Sequence, residues 1–165
     1  MIDLDANATT PLDEAALEAM LSCLRKHHGN PSSIHHAGRQ SRAIIDASRD
    51  TLAVLLGCRP HEIIFTGSGT ESDNLALFGL ARAHAFRGRH LVTCATEHHA
   101  VLHAFDALEA HEGFEVTRLG VGRDGTVSHE AVRAALRPDT TLVSIMSANN
   151  ETGVCHPVEA ISAHC

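Results

Sequence analysis

One stretch of the chain narrows the possible folds more than any other. It begins with a short apolar run, Glu62-Ile63-Ile64-Phe65, and continues into a polar loop, Thr66-Gly67-Ser68-Gly69-Thr70-Glu71-Ser72-Asp73-Asn74. The loop opens an amphipathic helix, Leu75-Ala76-Leu77-Phe78-Gly79-Leu80. A strand feeding a Gly/Ser/Thr loop at a helix start is the sequence form of an anion cradle. Glycines let the backbone approach closely, hydroxyls donate, and the first helical N–H groups have no partner within the helix. A phosphate-bearing ligand is expected here.

The segments on either side set the architecture. Thr10 can cap a first helix with Pro11 at its first position and Leu17, Met20, Leu21 and Leu24 on one face, stopped by Gly29. Residues 29–36 read as a loop because Pro31 disfavours helix at Asn30. A longer helix follows, with Ile44, Ile45, Ser48, Leu52, Leu55 and Leu56 in phase and Gly57 as its stop. The pattern then alternates: strand 62–66, helix 71–86 ended by Gly88, strand 90–95, helix 98–111, strand 114–120, an Asp124-Gly125 turn and helix 129–136. Strand 141–147, loop 148–156 and a helix from Pro157 complete it. Alternating strands and helices predict an α/β fold with a mostly parallel sheet. Ligands of such sheets gather at the carboxyl ends of the strands. Those ends carry Ser68–Thr70, Thr96–His99 and Ala148–Glu151, so three polar clusters are expected on one edge. The expected division is a segment 1–57 followed by a larger unit 58–165. Cys165 falls inside a predicted helix, so the sequence is expected to be incomplete at its C-terminus or naturally truncated.

Composition excludes several functions. A net charge of −7 with histidine neutral disfavours nucleic acid and anionic membranes as partners. No Trp or Tyr is present to stack on bases. No apolar run would span a bilayer, the acidic start is no signal peptide, and the expected location is cytoplasmic. Cys23, Cys58, Cys94, Cys155 and Cys165 are scattered, without a C-x-x-C pair, and read as reduced, buried thiols. His99 and His103 stand four apart on a helix without a third ligand, so no metal is expected. The pairs His27-His28 and His35-His36 read as solvated.

The loop itself admits more than one phosphate ligand. A P-loop would need a lysine that the segment lacks, and a dinucleotide fingerprint would need a glycine where Ser72 stands. A plain strand-to-helix turn is a third possibility. Four further blocks bear on the choice: Asp5-Ala6-Asn7-Ala8-Thr9-Thr10-Pro11, Gly29-Asn30-Pro31-Ser32-Ser33-Ile34-His35, Thr96-Glu97-His98-His99-Ala100-Val101, and Val143-Ser144-Ile145-Met146 through Asn149-Asn150-Glu151-Thr152-Gly153. Together with the loop, these blocks, in this order, resemble the cysteine desulfurases, a branch of the class V aminotransferase family.

The resemblance implies pyridoxal phosphate as cofactor and a pyridoxal-phosphate transferase of fold type I, here with a truncated large domain. It implies that Gly69 and Thr70 bind the cofactor phosphate and that Ser68 lines the same cup. It implies that His98 stacks on the pyridine ring and moves protons at the substrate, and that Asn150 lies near the pyridoxal 3′-oxygen. Asn7, Ala8 and Thr9 would lie close to the substrate. By their residue types alone, His98 could simply cap the following helix, and Asn149 and Asn150 could be turn residues.

The implied reaction converts L-cysteine to L-alanine and hands persulfide sulfur to an acceptor protein, commonly for iron–sulfur cluster assembly, in an enzyme that is a homodimer at full length. The family's Schiff-base lysine and nucleophilic cysteine have no match here. The chain's single lysine, Lys26, stands in an unrelated context. The 165 residues by themselves are therefore expected to be inactive. A selenocysteine lyase or other class V lyase, and a non-catalytic desulfurase-like fragment, are the alternatives.

Overall fold

Asp13 starts the first helix. In a computed structural model, which describes Ala6 and residues 9–165, helix α1 runs Glu14–Lys26, and the Asp13 carboxylate accepts from the Ala15 and Ala16 amides at 2.9 and 3.2 Å. The expected cap at Thr10 is corrected: a carboxylate reaching two orphan amides sets the start, and residues 10–13 stay outside the helix. Helix α2 spans His36–Leu56 and ends before Gly57 as expected. His35, read as solvated, is its N-cap, with Nδ1 accepting from the Gly38 amide at 3.3 Å.

A 3-10 turn, Pro60–Glu62, follows. The expected strand 62–66 is also corrected, because residues 63–66 form no ladder with any neighbour among the described residues. The Arg49 guanidinium holds the segment instead, donating to the Ile63 carbonyl at 3.3 Å and lying 5.1 Å from the Phe65 ring centroid. Met1–Phe65 form one compact unit and Thr66–Cys165 a second. Asn7 and Ala8, two of the residues expected near the substrate, lie outside the described residues.

The second unit carries the sheet. Helix α3 is Gly69–His84, β1 His90–Cys94, α4 His99–Glu112, β2 Glu115–Leu119, α5 His129–Ala135, β3 Thr140–Ser144 and α6 Val158–Ser162. The order is β2-β1-β3, all parallel, with His90 opposite both Glu115 and Thr140. Parallel pairs need long crossovers, which α4 and α5 supply. All five residues of β1 are buried, so the strand tolerates no surface-type alternation. Its side chains still divide between the faces. Leu91 packs with Leu77, Ala81, Val101, Ala104, Phe105 and Leu108 of α3 and α4, whereas Cys94 packs with Val127, Val132 and Ile161 near α5 and α6. Helices thus cover both faces of the sheet. Gly88, expected only to end α3, has a second reason: a Cβ there would lie 2.1 Å from the Asp139 carbonyl oxygen, where the approaches to β1 and β3 cross.

His90 joins the three strands at their amino ends. It is wholly buried, with Nδ1 2.7 Å from the Thr140 hydroxyl and Nε2 2.8 Å from the Thr117 hydroxyl. A neutral ring offers one donor and one acceptor, and a hydroxyl can take either role. Burial, reinforced by the Arg137 cation, pushes the imidazole below its ordinary value. The unfolded chain therefore binds this proton more readily than the fold does. The stability tied to a neutral His90 is complete above about pH 6.5 and declines as pH falls below it. Urea midpoints followed by circular dichroism should show a steeper loss from about pH 7.5 to about pH 5.5 in the wild type than in His90→Asn. Equal slopes in the two proteins would contradict the neutral-ring assignment.

Candidate cofactor-binding site

The glycine-rich loop is organised by its own side chains. Ser68 is the N-cap of α3, its Oγ accepting from the Glu71 amide at 3.1 Å, and the Glu71 carboxylate turns back to the Gly67 amide at 2.7 Å. The hydroxyls of Thr66 and Ser72 meet at 2.6 Å, and the Ser72 amide donates to the Ser68 carbonyl at 3.1 Å. This assigns two of the four first-turn amides. Those of Gly69 and Thr70 have no partner among the described residues, and a helix gives its first amides no partner of its own. A Cβ built at Gly69 would meet nothing within 4 Å, so the space beside these donors is open. The loop thus offers outward amides, the Thr70 hydroxyl and the spare proton of the Ser68 hydroxyl at the positive end of a helix dipole.

Beyond β1 the chain enters the second cluster. His98 is the N-cap of α4, and its Nδ1 accepts from the Ala100 amide at 3.1 Å. Capping and proton chemistry do not compete here. With Nδ1 committed, the neutral ring carries its proton on Nε2, and the exposed side chain can offer that atom to a ligand.

The third cluster is a tight loop after β3. Ala148 and Cys155 form an antiparallel bridge, the Asn149 amide donates to the Val154 carbonyl at 2.8 Å, and Gly153 turns the chain at φ 72°. Asn149 is spent on the loop itself. Its Oδ1 accepts from the Glu151 amide (3.0 Å), the Thr152 amide (2.9 Å) and the Thr152 hydroxyl (3.0 Å). Its Nδ2 donates to the Thr96 carbonyl at 2.9 Å. Asn150, by contrast, is exposed, with Nδ2 3.3 Å from Glu151 Oε1.

Glu97 draws these clusters together, a residue that the sequence pattern did not single out. It is buried, and its Oε1 accepts from the Met146 amide at 2.5 Å. Burial pushes the carboxyl above its usual range, against the hydrogen bond from the Met146 amide, and the Asp73 carboxylate of α3 pushes it the same way as burial. The His98 loop and the Asn150 loop are therefore tied together on one edge, and α3 packs against both α4 and β3. Thr9, expected near the substrate, is exposed in the first unit. An acid between a strand and a helix start reads as a surface residue. The Asn149-x-x-Thr152 spacing was the one available signal of a self-bonded turn.

A parallel sheet covered by helices on both faces, with a capped anion cradle and two polar loops at its strand ends, defines a cofactor-binding α/β domain. Residues 2–165 match the family described as aminotransferase class-V, and the chain belongs to that family. The cysteine desulfurase IscS of Anaeromyxobacter sp. (strain Fw109-5) is 51% identical over 161 residues, covering 97% of this chain and 40% of that protein. A solved NifS-like protein superposes with a TM-score of 0.92 at 39% identity, over 97% of this chain and 44% of its own. The structure named as SspA in complex with cysteine gives 0.90 at 37% identity, over 97% and 46%. The chain therefore spans less than half the length of these relatives.

Members of this group depend on pyridoxal phosphate, and the residues present suit its phosphate end: outward amides at Gly69 and Thr70, open space beside them, and two hydroxyls. One group opposes an anion. The Glu71 carboxylate sits on the Gly67 amide, one turn from the cradle. A glutamine would keep that hydrogen bond and remove the charge. Glu71→Gln should bind inorganic phosphate about two- to fivefold more tightly, the range expected of one charge at a helix start, as read by ³¹P line broadening. Weaker binding would show that the carboxylate supports the cradle rather than opposing the anion.

Proposed function

We propose that this chain forms the cofactor-phosphate side of a cysteine desulfurase, an enzyme that takes L-cysteine to L-alanine and passes the sulfur on as a persulfide. One observation carries the reading. The amides of Gly69 and Thr70 are left for a ligand, while Glu97 and Asn149 hold the His98 and Asn150 loops at the same strand-end edge. The relatives support it through their names, and the SspA structure, described as a complex with cysteine, supports the substrate.

In this reading Gly69 and Thr70 bind the phosphate through backbone amides, and the hydroxyls of Thr70 and Ser68 donate to its remaining oxygens. The His98 ring lies against the cofactor and exchanges a proton at Nε2. The Asn150 amide orients the ring oxygen. The cofactor, when bound, supplies the electron sink that allows bonds at the substrate α-carbon to break. Thr9, with Asn7 and Ala8, belongs on the substrate side. The sulfur acceptor is a protein serving iron–sulfur cluster assembly or another sulfur-transfer route, the full-length enzyme is a homodimer, and the setting is the cytoplasm, with which five free thiols agree.

The chain's single lysine, Lys26, lies in the last turn of α1, where it complements the helix dipole. The appropriate probe is therefore pyridoxamine phosphate, which needs no covalent lysine. Calorimetric titration of the purified chain should show saturable binding that inorganic phosphate competes away. Thr70→Val should weaken it about tenfold or more, the loss of one hydrogen bond to a charged group. His98→Ala should weaken it as well. If pyridoxamine without its phosphate binds equally well, or neither substitution matters, the cofactor reading is wrong.

A further inference from the structure

The roles above leave one buried acid unused. Glu97 is 8% exposed, and its carboxylate accepts from the Met146 amide at 2.5 Å. Its place in the ladder is informative. Pairing of β1 with β3 ends at Thr93 opposite Ser144, and beyond that point the two chains diverge into their loops. Backbone groups past the last rung still need partners. The Met146 amide finds one in Glu97, and the Thr96 carbonyl finds one in Asn149 Nδ2 at 2.9 Å. Each loop thus lends a side chain to the other's backbone. A carboxylate is a costly choice for joining two backbones, since its burial is unfavourable unless hydrogen bonds compensate it. It does, however, tie the residue beside His98 to the segment that leads into the Asn150 loop.

We propose that Glu97 is a positioning residue: its carboxylate locks the Thr96–His99 loop onto the loop bearing Asn150 and so fixes the His98 imidazole in one orientation. This rests on His98 and Asn150 contacting the cofactor together, and it adds the group that sets their relation. Asn149 is the second half of the same clasp. The Asp73 carboxylate, one turn inside the cradle helix of the first cluster, adds its charge to the surroundings of Glu97.

Three measurements on the 165-residue chain test this, two of them without ligand. In Glu97→Ala the Met146 amide should exchange with solvent about tenfold faster or more, the cost of a lost charge-assisted hydrogen bond. The three-bond couplings of His98 should change from a single χ1 rotamer to an average. Pyridoxamine phosphate should bind about tenfold more weakly. Glu97→Gln retains an oxygen that can accept from the Met146 amide, and it should restore the single rotamer and most of the affinity. Where Glu97→Ala proves too unstable, Glu97→Gln set against Asn149→Ala provides the same contrast, since Asn149→Ala removes the other half of the clasp. Unchanged amide exchange in Glu97→Ala would show that the clasp does not exist. Faster exchange with an unchanged His98 rotamer would reduce Glu97 to a structural tie and overturn the proposal. If the wild-type chain fails to bind pyridoxamine phosphate, the cofactor reading fails, while the exchange and rotamer measurements still decide the role of Glu97.

Discussion

Everything at the candidate site depends on β1 being paired on both edges by strands that run in its own direction. Parallel pairing sends all three carboxyl ends the same way, so the loops after β1 and β3 must emerge side by side. Burial of all five β1 residues makes that arrangement rigid. The two polar groups that bracket the strand mark its ends differently. His90 satisfies both its nitrogens with threonine hydroxyls on the flanking strands, inside the ladder. Glu97 lies past the last rung and reaches a backbone amide in the segment after β3. One is stable as a neutral ring between neutral partners, and the other holds two diverging segments together.

Much of this was legible in the sequence because it depends on local chemistry. Alternation of apolar runs with helical periods located α3 to α6 and β1 to β3 within a few residues, and Gly57 marked the end of α2. The cradle could be read in the same way, since capping by Ser68 and the orphan amides behind it are properties of a few adjacent residues. The misreadings share one cause, which is competition that only the fold decides. Thr10 and Asp13 are both able caps, and the choice went to the carboxylate that reached two amides. Residues 62–66 have the composition of a strand, but a strand is a relation to a neighbour, and none is present among the described residues. Glu97 and Asn149 were hidden for a related reason. Burial of an acid and the reach of an amide across to Thr96 arise only once β1 and β3 lie side by side.

The site residues also show how much function and folding share the same atoms. Ser68 caps a helix with its lone pair and keeps a hydroxyl proton for a ligand. His98 caps α4 through Nδ1, and the cap makes no use of Nε2. Asn149 and Asn150 divide the labour between neighbours, the first holding the loop and the second standing at its surface. Glu71 is the exception. It completes the loop's internal bonding with a charge that an incoming anion must tolerate.

The register of β1 has a further consequence, in time rather than in space. His90 pairs with Glu115, 25 residues later (115 minus 90), and with Thr140, 50 residues later (140 minus 90). The most buried strand of the molecule is therefore made before either partner exists. At a synthesis rate of roughly 5–20 residues per second, its apolar side chains wait about 3–10 s for β3 to be made, covered by α3 and α4 and, from about halfway, paired with β2 on one edge only. During that interval the nascent chain offers an unpaired strand edge to whatever else is nearby. The strand that later organises the site is thus the segment most exposed to misassociation while the protein is being born.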